Sequence, residues 1–247
     1  MLLSVTPSMV LSGLKQGGRY SSGTGHHSIL PVGSQLFMIY HRHNDPSVGG
    51  GQRNHAIDEI KWVTVNGREV MYVNGPNVTL QPRVEKYSTY RNIATEAQVT
   101  ASSGNARYLN DGLLSHQKNG HSNVVNAVGE TTVSTTTTFT FKFANARTVK
   151  SVLVYNSRLH SQIFRQIKQI KLLCIENGKP VTKYINAVPF NSEYYTTNSS
   201  GQVTYVEPCA AAYAVFDELQ VLSVEITVEV PAGQSSVGIS EIRILGK

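Results

Sequence analysis

The chain has 247 residues, of which 40% are hydrophobic and only 15% charged, well below the quarter or so usual in globular proteins. Its 20 Gly and 9 Pro, set among many Thr, Val and Tyr, exclude long helical bundles and coiled coils and predict an all-β chain joined by turns. No window approaches about 18 consecutive apolar residues, so no transmembrane helix and no membrane partner is expected.

The net charge of +6 is thinly spread. Residues 1–91 hold 9 Lys and Arg against 5 Asp and Glu, and the rest holds 13 against 11. The densest basic run, Arg165, Lys168 and Lys171, lacks the interleaved aromatics of a phosphate-binding stripe, so it reads as a solvated sheet face and no nucleic-acid partner is expected.

The opening MLLSVTPSMVLSGL is apolar but has no early Lys or Arg, carries Pro7 and lacks a small-x-small cleavage site. It reads as a strand of a domain entered midway, with no signal peptide. From Val5 to about Pro82, short β runs alternate with glycine turns: SMVLSG, HHSILPVGSQLFMIYHRHN and NHAIDEIKWVTVNGREVMYVNG. The continuous run QLFMIYH predicts a strand covered on both faces, and AIDEIKWVTV alternates like a strand with one wet face. Asn66-Gly67 predicts a two-residue hairpin turn. Three or four such strands make one blade-sized sheet, and QPRVEKYSTYRN breaks the pattern as a linker. The expected division is therefore 1–85 and 86–247.

A second all-β pattern begins after Asn92: QVTAS, TTTTFTFKF, SVLVYNS, IKQIKLLCIENGKPVTKYINAV, YAVFDELQVLSVEITVEV and ISEIRILG. In TTTTFTFKF the alternation puts Phe139, Phe141 and Phe143 on one face. About eight strands of this kind match one jelly-roll β-sandwich. Cys174 and Cys209 sit in apolar stretches and are either buried thiols or one disulfide.

Five pieces of the first region fall in a telling order: Gly-x-Gly-His-x-Ser at Gly23 to Ser28, Tyr40-His41, Arg53, Ile-Asp-x-Ile-x-Trp at Ile57 to Trp62, and Asn-Gly-Pro at Asn74 to Pro76. Together they resemble the last part of the five-bladed β-propeller of glycoside hydrolase family 43, the arabinofuranosidase and xylosidase family. The resemblance implies a partial propeller of about one blade, from an exported inverting glycosidase acting on plant cell-wall pentose polysaccharides. That chemistry needs a carboxylic acid and a carboxylate about 6.5 to 9.5 Å apart with a water between them. In the family these acids come from earlier blades, so no catalytic residue and no glycosidase activity is expected of this chain alone. Asp45, Asp58, Glu59 and Glu69 read as solvated or strand-capping carboxylates. The resemblance places His26 near a central cation, with a backbone-bonded buried histidine as the alternative, and Arg53 at the sugar, with a surface arginine as the alternative because Gly49 to Gly51 lengthen the loop before it. A zinc site built from His26, His27, His41, His43 and His55 matches no known ligand spacing.

In the second region NIATEAQVTASSGNARYLNDGLLS and VGISEIRILGK resemble the opening and closing strands of a galactose-binding-like, or discoidin-like, sandwich, the architecture of many carbohydrate-binding modules. The resemblance implies a structural Ca²⁺ held by Asp111 and Glu241, with Gly112 shaping the turn. The alternative is a carboxylate that caps the turn beside one that bonds a backbone amide. Candidates for a sugar platform are Tyr108 with His116 and His121, Tyr155 with Arg158 and His160, or Tyr194 with Tyr195, with packing as the alternative for each aromatic and a purely bracing sandwich as the alternative for the whole, so none is named as a site. The partner expected is a plant polysaccharide or oligosaccharide. The exposed partial blade, residues 1–85, is expected either to be poorly ordered or to depend on packing against the sandwich or a second copy. A stand-alone, non-catalytic carbohydrate-binding protein is the alternative to a hydrolase fragment.

Overall fold

The computed structural model describes residues 22–43, 53–75, 80–115 and 128–247. The opening apolar stretch, Asp45, Gly49 to Gly51, Pro76, His116 and His121 lie outside the described residues. The chain divides into two compact units, residues 1–78 with 114–129, and residues 79–113 with 130–247.

The first unit is a four-stranded antiparallel meander, β1 (Ser22–Val32), β2 (Gln35–His43), β3 (Arg53–Val65) and β4 (Arg68–Val73), paired in chain order. The β3–β4 turn is Asn66-Gly67 with φ of 50° and 75°. Both residues are left-handed, as a type I′ hairpin requires. Adjacent residues Phe37 and Met38 are both buried, as are Tyr72 and Val73, so the sheet has cover on both faces, as the QLFMIYH run predicts. That cover is partial: Ile29, Leu30, Ile57 and Trp62 are exposed.

One expectation for this sheet is overturned. Asp58 is not a solvated carboxylate but is buried, and it accepts a 2.6 Å hydrogen bond from the Tyr40 hydroxyl. Burial and the Asp58 charge push the Tyr40 phenol far above its ordinary value. Glu59, on the opposite face, is held by Gln35 at 2.8 Å and Lys61 at 2.7 Å. The segment after β4 is fixed by Asn74, whose Oδ1 accepts from the Leu114 amide at 3.0 Å.

The second unit contains β5 (Arg91–Asn92), β6 (Gln98–Ala101), β7 (Thr131–Val133), β8 (Thr137–Asn156), β9 (Ile167–Glu176), β10 (Lys179–Val188), β11 (Tyr195–Thr197), β12 (Val203–Val206), β13 (Ala211–Val228) and β14 (Val237–Gly246). The ladder runs β10-β9-β13-β8-β14-β5, with β6 on β8 and β7 on β14, and β11-β12 form a separate ribbon. TTTTFTFKF and SVLVYNS are thus not two strands but one 20-residue strand, β8. Its first half pairs with β6 and its second half with β14, while β13 follows it along its length with irregularities near Val215 and Val221.

Although the ladder is continuous, it folds back on itself. Ile170 and Leu172 of β9 share one buried cluster with Ile242 and Ile244 of β14, three strands further along the ladder. The result is a β-sandwich in which the long strands serve both layers. Phe139, Phe141 and Phe143 are buried in the interior, as their alternation predicts.

The cysteine alternative is resolved in favour of thiols: Cys174 and Cys209 are both free and buried. Burial raises both thiol pKa values, Cys209 the more strongly. Thiolate is the reactive form, so native protein is expected to resist iodoacetamide at neutral pH and to label at both cysteines in denaturant. Mass spectrometry reads this directly, and native labelling of Cys209 would contradict its burial.

Candidate functional site

Two polar constellations stand out in the second unit. The first joins the turn at Asp111 to β14. The Ile242 amide donates to the Leu109 carbonyl at 2.7 Å, which lays residues 109–112 along β14. Asp111 Oδ1 accepts from the Leu113 amide at 2.9 Å, closing an Asx turn. Gly112, at φ 79°, supplies the left-handed step and its amide donates to Glu241 Oε1 at 3.1 Å. The sequence expectation that Asp111 and Glu241 come together therefore holds geometrically, across 130 residues of chain.

The electrostatics of this pair are unfavourable as they stand. Glu241 is fully buried; desolvation drives its carboxyl well above the ordinary range, Arg243 opposes the shift and Asp111 adds to it. Asp111 is raised as well, again chiefly by desolvation. Glu241 Oε2 is buried with no hydrogen-bond donor on it. A buried oxygen without a donor needs a reason, and two facing carboxyl groups with an orphaned oxygen suit a hard cation that prefers oxygen ligands. The donor chemistry of Asp111 and Glu241 fits a calcium ion. Among the described residues no group of three or more His, Cys, Asp and Glu is arranged for a metal.

The second constellation is built from loops at the ends of β8, β12 and β13. Asn156 Oδ1 accepts from the Ser157 and Phe164 amides at 2.9 and 3.0 Å, and its Nδ2 donates to the Phe164 carbonyl at 2.9 Å, which pins the 157–164 loop. Glu130 braces the same loop, accepting from the Ser157 hydroxyl and the Arg158 amide, each at 2.7 Å. From the other side the Cys209 amide, in a left-handed residue at φ 61°, donates to the Ser157 carbonyl at 3.0 Å.

On this frame the His160 ring lies 5.0 Å from the Tyr205 ring, tilted by 35°. The Tyr205 hydroxyl donates to Glu207 Oε2 at 3.0 Å. Partial burial holds the His160 pKa below its ordinary value and so favours the neutral imidazole, which has one donor and one acceptor. Arg158, half-buried and bonded through its amide to Glu130, lies two residues before His160 on the same loop. The arrangement presents ring surface beside donors and acceptors, which is chemistry suited to a polyol.

Of the three aromatic platforms expected from sequence, two lose their leading ring. Tyr155 is fully buried and donates to the Leu80 carbonyl at 2.9 Å, and Tyr194 is buried in the core. Tyr155 lies opposite Glu241 of β14, and Tyr194 ends a short 3-10 helix with its ring in the core cluster. Tyr108 stays half-exposed under the Arg107 guanidinium, 4.5 Å from its centroid. Glu130, Tyr205 and Glu207 were not singled out in the sequence. No local motif marks them, since they meet only where three strand ends converge.

In the first unit, Arg53 is exposed at the start of β3, in register with His43. His26 is exposed too, so the buried alternative is overturned for it. It sits at a bulge in β1 with φ 51°, its ring 6.2 Å from that of His41. Neither residue is brought to an acidic cluster among the described residues.

No family model matches the chain, and no curated protein matches it. Solved structures similar to it include an F5/8 type C domain from Bacteroides fragilis (12% identity, covering 64% of this chain and 95% of that chain, TM-score 0.41). Another is a Streptococcus pneumoniae fucose-binding module (15%, 64% and 96%, TM-score 0.40). A third is the family 32 carbohydrate-binding module of NanJ from C. perfringens, in complex with galactose (16%, 62% and 95%, TM-score 0.36). Among the described residues no helix is long and apolar enough to cross a membrane.

Proposed function

We propose that the second unit is a carbohydrate-binding module, that Arg158, His160, Tyr205 and Glu207 form its sugar site, and that Asp111 and Glu241 hold a structural Ca²⁺. The observation that carries the sugar site is the half-exposed His160–Tyr205 ring pair, flanked by Glu207 and mounted on a loop fixed by Asn156 and Glu130. Sugars are recognised by ring stacking against their apolar faces and by fixed donors and acceptors at their hydroxyls.

In this reading the first unit is the end of a family 43 propeller, whose catalytic acids lie outside this chain and whose exported parent acts on plant pentose polysaccharides. The four-stranded meander has the strand number and order of one blade. Its exposed Ile29, Ile57 and Trp62 are surface for a neighbouring blade or a second copy.

Titration calorimetry with galactose, xylo-oligosaccharides and arabino-oligosaccharides tests the sugar site. At least one is expected to bind, and Arg158→Ala with His160→Ala is expected to weaken it by about tenfold or more, the loss of one or two good hydrogen bonds, with an unchanged melting temperature. A flat heat signal for all three sugars would sink the assignment.

A further inference from the structure

Tyr108 stands in a backbone conformation that a bulky side chain rarely takes. Its φ is 68°, in the left-handed region, a step that the hairpin turns at Asn66 and Asn177 make with Asn-Gly pairs. Strain of this kind persists only where the surroundings impose it, and it collects at ligand clamps. Here the surroundings do impose it. Gly104, at φ 73°, opens the loop, and Asn105 Oδ1 accepts from the Arg107 amide at 3.1 Å. The Thr131 hydroxyl donates to the Arg107 carbonyl, and fully buried Leu109 accepts from the Ile242 amide at 2.7 Å. Both neighbours of Tyr108 are thus fixed, and the ring between them stays half-exposed.

The Arg107 guanidinium covers one face of that ring, is exposed, and pairs with no carboxylate among the described residues. The carboxylates of the two constellations are engaged elsewhere: Glu130 by Ser157 and Arg158, Glu207 by Tyr205, and Asp111 and Glu241 by each other's turn. Consecutive residues join the two loops. Thr131 holds the Arg107 carbonyl while Glu130 holds the Ser157 hydroxyl and the Arg158 amide, so the Tyr108 loop is tied to the loop that carries His160.

We propose that Arg107 and Tyr108 form a second subsite of the module, one that takes a sugar unit bearing a carboxylate, such as a uronic acid branch. The free face of the Tyr108 ring takes the apolar face of the sugar, and the planar Arg107 fork takes its carboxylate. The other charged side chain of the tied loop, Arg158, is a cation as well and does not oppose an acidic ligand. The inference rests on the carbohydrate-binding reading and names the class of sugar.

Titration calorimetry of the full chain at low salt tests the proposal, with a xylo-oligosaccharide carrying one glucuronic acid branch and the same oligosaccharide without it. The branched sugar is expected to bind about tenfold tighter, the gain from one charged hydrogen-bonded pair, and the gap to narrow as salt rises. Arg107→Gln is expected to close the gap. Asn suits the left-handed backbone, so Tyr108→Asn is expected to lower affinity for the branched sugar by about tenfold while the melting temperature holds or rises. A ring kept for packing would instead lower the melting temperature. The proposal is overturned if both sugars bind wild type equally, if either variant binds the branched sugar like wild type, or if Tyr108→Asn melts lower. Equal binding of the two sugars, indifferent to both variants, would remove this subsite and leave the carbohydrate-binding reading standing; heat from neither sugar would remove both.

Discussion

Adding calcium to chelator-treated protein is expected to raise the melting temperature of the sandwich by about 5 to 10 °C. A ligand at a hundred times its dissociation constant adds about 2.7 kcal/mol, and a unit of this size moves about 2 to 4 °C per kcal/mol. The physical source is the cost already present at the pair. Glu241 is buried beside Asp111 with one oxygen lacking a donor, so its charged form is disfavoured until a cation neutralises it. Glu241→Gln separates this from a general salt effect. The amide removes the buried charge, so the variant in chelator should melt at or above the wild-type temperature, and calcium should no longer move it. Scanning calorimetry in chelator, calcium and magnesium reads all three. A wild-type curve indifferent to calcium would refute the two carboxylates as ligands.

Gly75→Ala is the second change with a large expected effect, and it acts on the first unit. A Cβ at position 75 falls 2.0 Å from Asp58 Oδ2 and 2.8 Å from Asp58 Cβ. The short Asp58 side chain is buried and bonded to Tyr40, so it cannot step aside without breaking that bond. Overpacking together with a stranded carboxylate costs about 2 to 5 kcal/mol. Proteolysis of residues 22–75 should accelerate more than tenfold while the melting of the sandwich is unchanged. Tyr40→Phe, which removes only the hydroxyl, should cost less, about 1 to 3 kcal/mol. A Gly75→Ala protein as resistant to protease as wild type would mean that the close approach is not rigid.

Legibility from sequence followed the range of the interaction. Local patterns carried through: the Phe139, Phe141 and Phe143 alternation became core, and Asn66-Gly67 became a left-handed turn. Asp58 did not, because a carboxylate in an alternating strand reads as wet unless its tyrosine partner, 18 residues away, is known. Tyr155 failed for the complementary reason. An aromatic at a strand end reads as a platform until β14 is laid beside it. Glu130, Tyr205 and Glu207 carried no signal at all, since each is an ordinary polar residue until the loops converge.

By itself the sequence determined what depends on neighbours within a few residues: an all-β chain, the Asn66-Gly67 turn and the one-sided run of Phe139, Phe141 and Phe143. Only the tertiary structure decided that β8 is one bent strand shared by two layers, that Glu241 loses water on every side, and that His160 meets Tyr205. Those outcomes depend on which distant strands pair, and strand pairing sets both the desolvation of a carboxylate and the identity of the ring across a cleft.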